Sequence, residues 1–213
     1  MARNPMAICA LLCTLVASGV GVISSRAAGE TAANQQERSG DPARALRGEW
    51  IRVGPSFACR VPARQSLPPE TIKPDVLTRA CLHMGPLVIG DEARSVKSVA
   101  GAPYRTLPQP KGATAAVYFL GRPEQYPYLV ATTLQDRIVA LQITGTFAWN
   151  DFNFNHIDLG AKTERVIEHF GPPNHMEPSS IKDADLWVYR PRPFSFEVKD
   201  ERVISIRIVD PAF

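Results

Sequence analysis

One block of sequence occurs twice in this chain. Gly90 to Pro103 reads GDEARSVKSVAGAP, and Gly160 to Pro173 reads GAKTERVIEHFGPP. The copies lie 70 residues apart, with Gly90/Gly160, Val96/Val166, Gly101/Gly171 and Pro103/Pro173 in register. Each copy leads into segments that end in strand-like alternation. A chain that repeats a helix and its stop signal at this spacing is expected to build the same supersecondary unit twice.

The helices read from the pattern are Asp91 to Ala100, with Ala93, Val96 and Ala100 on one face, and Lys162 to Phe170, with Val166 and Phe170 inward. Gly101 and Gly171 stop them, because glycine tolerates the left-handed closing geometry, and the prolines keep them stopped. Three strands are expected after each helix. In the first unit they are Thr114 to Leu120, Tyr126 to Leu134 and Ile138 to Thr144. In the second they are Leu186 to Arg190, Phe194 to Lys199 and Arg202 to Val209. Val139, Leu141 and Ile143 alternate with polar or small residues, as do Phe194, Phe196 and Val198 and Ile204, Ile206 and Ile208. Period two means that one face is buried. The expected fold class is α+β: two tandem repeats, each a helix packed on one face of a three-stranded antiparallel sheet.

The N-terminus bears on compartment. Arg3 precedes an apolar run from Met6 to Ile23, and small residues follow at Ser25-Arg26-Ala27-Ala28. That is the order of a secretory signal. The competing reading is a membrane anchor, since spanning needs about 20 apolar residues. Ala, Gly, Ser and Thr dilute the run, so residues 1–27 are assigned as a signal peptide and 28–48 as a flexible polar leader. Residues 49–86 form a proline-punctuated N-terminal segment, with a short helix over Pro74 to Cys81; the repeats occupy 87–145 and 146–213. Without Arg3 and Arg26, 22 basic side chains face 21 acidic ones, a balance with no footprint for nucleic acid. Membrane contact is assigned to the signal segment alone. Beyond it, the remaining cysteines are Cys59 and Cys81, an even pair that predicts a disulfide in an oxidising compartment. The expected location is periplasmic or secreted.

The unit of helix, Gly-x-Pro turn and three antiparallel strands resembles the exported fold of the BamE (SmpA/OmlA) family and of the beta-lactamase inhibitory protein. The resemblance rests on Gly90 and Gly160, on the Gly101-Ala102-Pro103 and Gly171-Pro172-Pro173 turns, on Trp187-Val188-Tyr189 and on the closing strands. It covers about 120 residues from Leu87 onward. BamE is usually a single, lipid-anchored unit, whereas this chain has two, and the signal-segment cysteines Cys9 and Cys13 follow Ile8 and Leu12 rather than a small residue. The tandem arrangement is more similar to the inhibitory protein, which grips its target with a sheet. The resemblance implies a fold and a binding role, with a protein partner in the cell envelope.

No pattern in the chain carries catalysis. Gly-x-Ser-x-Gly is absent, Ser179 and Ser180 near His175 sit in a connector, and Glu197 and Asp200 flank a hairpin turn. His156, His169 and His175 lack paired zinc spacing, although His175-Met176-Glu177 offers donors for a soft ion. No cofactor, catalytic or metal residues are assigned, and the chain is read as a non-enzyme. The alternative function is a small-ligand or metal-binding periplasmic protein. The candidate protein-binding residues are Trp187, Tyr189, Tyr118, Tyr126 and Tyr128, aromatics placed on a shared side of their strands. They form a sticky patch if that side is free of helices and core if it is not.

Overall fold

The computed structural model describes residues 46–54, 56–62, 74–121 and 127–213. The signal segment, residues 28–45 of the leader, and Tyr126 lie outside the described residues. Leu46 to Gly48, expected in the leader, are already packed: Leu46 is buried and Gly48 N donates to Ala80 O at 2.9 Å.

Chain order begins with β1 (Glu49–Val53), β2 (Ser56–Arg60) and α1 (Pro74–Ala80). Two short strands follow, β3 (His83–Met84) and β4 (Leu87–Val88), and then α2 (Ala93–Ala100). Four strands come next: β5 (Arg105–Pro108), β6 (Thr114–Phe119), β7 (Tyr128–Leu134) and β8 (Arg137–Thr144). After α3 (Thr163–Phe170) come β9 (His175–Pro178), β10 (Asp185–Val188), β11 (Phe194–Lys199) and β12 (Arg202–Val209).

Each of α2 and α3 is thus followed by four strands, not three. Nor are there two separate sheets. β5 to β12 form one eight-stranded sheet in the order β5-β6-β7-β8-β12-β11-β10-β9, joined by antiparallel pairing of β8 with β12. The extra strands, β5 and β9, are its two edges. The pairing of β8 and β12 follows from their sequences: both are long, apolar on alternate positions, and match in register from Ile143/Ile206 to Leu141/Ile208.

The two helices are tied to the sheet by corresponding bonds. Gly90 N donates to Ile138 O (2.8 Å) and Gly160 N to Val203 O (2.7 Å). Ile138 N returns a bond to Asp91 O and Val203 N one to Ala161 O. Gly101 at φ 80° and Gly171 at φ 73° donate back to Lys97 O and Ile167 O, closing each helix. The β7–β8 and β11–β12 hairpins turn at Gln135-Asp136 and Asp200-Glu201, four non-glycine residues at positive φ, as a two-residue turn matched to strand twist requires.

Register fixes which residues share a face, because cross-strand partners project to the same side. Tyr118, Leu129, Ile143, Ile206, Phe196 and Trp187 line up on one side. All six are buried, and they share one core with Val96 of α2 and with Val166 and Phe170 of α3. Aromatic rings dominate its second half. Phe170 lies 4.8 Å from Phe194 and 5.8 Å from Phe196, and is stacked on Phe154 at 5.8 Å.

The N-terminal segment covers this same side. Trp50 of β1 meets Phe194 at 6.2 Å, and Phe57 of β2 meets Phe170 at 5.9 Å. The expected disulfide is present between Cys59 and Cys81, and it ties β2 to the end of α1. Arg79 of α1 pairs with Asp210 just after β12, at 3.0 Å, so α1 is bound to the segment that follows β12. Among the described residues no helix is long and apolar enough to cross a membrane.

Candidate functional site

The opposite side of the sheet carries no helix among the described residues. By register it presents Leu107, Val117, Phe119, Tyr128 and Val130 on β5 to β7, then Gln142 and Thr144 on β8. Ser205 and Arg207 on β12, Glu197 and Ser195 on β11, and Leu186 and Val188 on β10 complete it. Most of these side chains are half-buried.

The two ends of this open face differ chemically. At the β5 end, Phe119 has Tyr104 edge-on at 4.9 Å and Tyr128 edge-on at 6.5 Å. Tyr104 is 57% exposed. Three rings thus run along the rim, next to the apolar positions Val117, Val130 and Leu107. The placement is sequence-driven: Phe119 and Tyr128 are a directly opposed pair, and the helix stop at Gly101 to Pro103 delivers Tyr104 to the start of β5.

Towards the middle, polar side chains bond across the strands. Gln142 Nε2 donates to Ser205 Oγ (2.9 Å), and Ser205 Oγ meets Thr144 Oγ1 at 3.1 Å. Glu197 accepts from Ser179 Oγ at 2.6 Å and from Gln142 at 3.5 Å. Thr144 and Ser205 are buried, so these bonds satisfy groups that are costly to leave unpaired. Ser179 is therefore engaged with a carboxylate, and its hydroxyl also accepts from Ile181 N.

The candidate binding aromatics are divided by this geometry. Tyr189 is 0% exposed, Tyr118 6% and Trp187 8%; all three belong to the core under the helices. As an exposed patch they are corrected. Trp187 opposes Phe196, and Tyr189 packs on Phe194 at 5.3 Å while its hydroxyl donates to Gly171 O at 3.0 Å. Burial pushes both tyrosine hydroxyls, Tyr118 and Tyr189, above their ordinary pKa. Tyr128 does lie on the open face, half-buried, whereas Tyr126 falls outside the described residues. The ring neighbours that sequence reading missed are Tyr104 and Phe119; their signal was position next to a turn and opposite a tyrosine.

A cleft of about 350 Å³ opens beside Phe119. Val99 and Ala100 from the end of α2, Leu120, and Trp149 to Phe152 from the loop after β8 form its walls. Of the histidines, His175 sits on the exposed edge strand β9 with Glu177 at 3.5 Å, beside Met176, which is also exposed. Among the described residues no three His, Cys, Asp or Glu side chains are grouped to hold a metal.

No protein-family model and no curated protein matches the chain. Solved structures that resemble it include a cysteine-rich secretory protein from Staphylococcus aureus, at 17% identity and TM-score 0.40, covering 58% of this chain and 45% of that one. This chain therefore spans under half of that protein's length. A DUF4309 family protein from Bacillus subtilis aligns at 17% identity and TM-score 0.38, over 56% of this chain and 78% of the other. A Streptococcus mutans protein provisionally named a beta-lactamase inhibitor protein aligns at 14% identity and TM-score 0.24, over 55% and 81%.

Proposed function

We propose that this chain is an exported, non-enzymatic module that binds a protein partner of the cell envelope through the open sheet face. The observation that carries the reading is the rim of Tyr104, Phe119 and Tyr128 on the side opposite the packed core. Aromatic side chains bury large area at low entropic cost, and they anchor protein interfaces for that reason. The disulfide and the signal-like N-terminus support export. The matching blocks at Gly90 and Gly160, with their matching bonds to β8 and β12, support a duplicated unit as the origin of the wide sheet.

The test is site-specific photocrosslinking in envelope extract. Probes at Val117 and Val130 are expected to capture one protein that probes at Lys97 and Glu168, on the exposed sides of the helices, do not. Phe119→Ser is expected to abolish that capture with an unchanged circular dichroism spectrum. Equal capture from both sides of the molecule, or capture indifferent to Phe119, overturns the reading. The cleft beside Trp149 favours a second reading, an apolar small ligand. Titration with a naphthalene probe, read by tryptophan quenching, is expected to be lost in Val99→Asp if the cleft is a site.

A further inference from the structure

We propose that β1 and β2 form a strap that acid releases, with Asn155 and His169 as its latch. The strap lies over the aromatic half of the core, and Asn155 grips it at Trp50. Asn155 Oδ1 accepts from Trp50 N at 2.8 Å, and Asn155 Nδ2 donates to Trp50 O at 2.9 Å. These two bonds fix which end of the amide points where. Asn155 Nδ2 also faces His169 Nε2 on α3. With Nδ2 already assigned as the donor, His169 Nε2 must be the acceptor, and an acceptor nitrogen carries no proton. A proton on His169 puts two donors face to face. Turning the Asn155 amide over relieves that clash but breaks both bonds to Trp50. Asn155 is itself buried, at φ 51°, so it has little freedom to find another arrangement.

A second histidine holds the same strap. His83 Nε2 meets Gly48 O at 3.0 Å, one residue before β1. Burial is the first cause that lowers the pKa of both His83 and His169 below the ordinary 6.5. Around His169, His156 from the 155–157 turn and Arg165 on its own helix push the same way, while Glu49 of β1 and the Trp50 carbonyl oppose them. Around His83, Arg47 and His156 add to the lowering, and Glu49 and the Gly48 carbonyl oppose it. The closed form therefore binds fewer protons than the open form. Its advantage is intact above pH 6.5 and is lost progressively as pH falls below it. His156 Nε2 also lies 3.2 Å from Glu49 Oε1 of β1. Both side chains are exposed, so that pair is weak.

Both ends of the strap stay fastened. Upstream, Arg47 donates to Gly85 O and Pro86 O, each at 2.8 Å. Downstream, the disulfide to Cys81 keeps β2 attached. Release therefore lifts Trp50 and Phe57 from Phe194 and Phe170 without unfolding the sheet, and it reverses on neutralisation.

The experiment is hydrogen exchange of the full protein at about pH 8 and about pH 5, corrected for intrinsic rates. Residues 48–57 are expected to lose about tenfold or more of their protection in acid while β8 and β12 keep theirs. His169→Gln, whose side-chain oxygen still accepts from Asn155, is expected to remove most of that pH dependence. Unchanged protection of residues 48–57 in the wild-type chain overturns the proposal, as does loss spread evenly over the sheet. A wild-type response that persists in full in a folded His169→Gln chain also overturns it, by moving the proton elsewhere.

Discussion

Tyr189 shows how a single residue can be read two ways. Its ring packs on Phe194 and Phe196, and its hydroxyl reaches the carbonyl of Gly171, the residue that closes α3. The tyrosine thus fastens the helix stop to the end of β10. Tyr189→Phe removes the donor but keeps the packing, and is expected to cost about 1 kcal/mol in urea unfolding. Phe170→Ala removes a ring that packs on Phe57, Phe154, His169, Tyr189, Phe194 and Phe196 and is expected to cost about 3–5 kcal/mol in the same measurement. The sequence could not say which way Trp187 and Tyr189 point, because their neighbours Leu186 and Val188 are apolar too. With apolar residues on both sides of a strand, period two no longer marks the buried side. Only the register with Phe196 decides it.

The elements that were legible had strong local signals. α2 and α3 appear within two residues of their expected starts, and both end where Gly101 and Gly171 demand. β8, β11 and β12 carry clean alternation and were found. β5 and β9 were not, for a physical reason. They are edge strands of four residues, almost wholly exposed, and so carry no burial pattern to read. The joining of β8 to β12 was equally silent, since it depends on a pairing across more than sixty residues. The closing glycines offer a sharp check on the helices. A Cβ at Gly101 or Gly171 meets nothing within 4 Å, so only the positive φ penalises it. Gly101→Ala and Gly171→Ala are each expected to destabilise by about 1–3 kcal/mol, because φ of 80° and 73° with ψ of −150° and −177° is backbone that side chains rarely adopt, with similar values for the two sites.

At the scale of the whole molecule, one core on one side of the sheet serves both halves, and the N-terminal segment closes over it. The closure is bolted by Arg79 and Asp210, two residues 131 positions apart. Asp210 is buried, and it also accepts from Ala212 N at 3.0 Å. Asp210→Ala is expected to cost about 1.5–3 kcal/mol, the range for hydrogen bonds to a charged group, and calorimetry would show it as a lowered Tm. The side left open is where the proposed partner binds, so the same substitution is expected to leave capture at Val117 intact.

The outer strands carry one more implication. β5 closes on Pro108 and β9 on Pro178, and a proline has no amide hydrogen to offer a newcomer. A ribbon eight strands wide with bare borders invites stacking of molecule upon molecule into fibres. Here each border is short and finishes on a residue that refuses the next rung, which keeps concentrated protein from polymerising side by side.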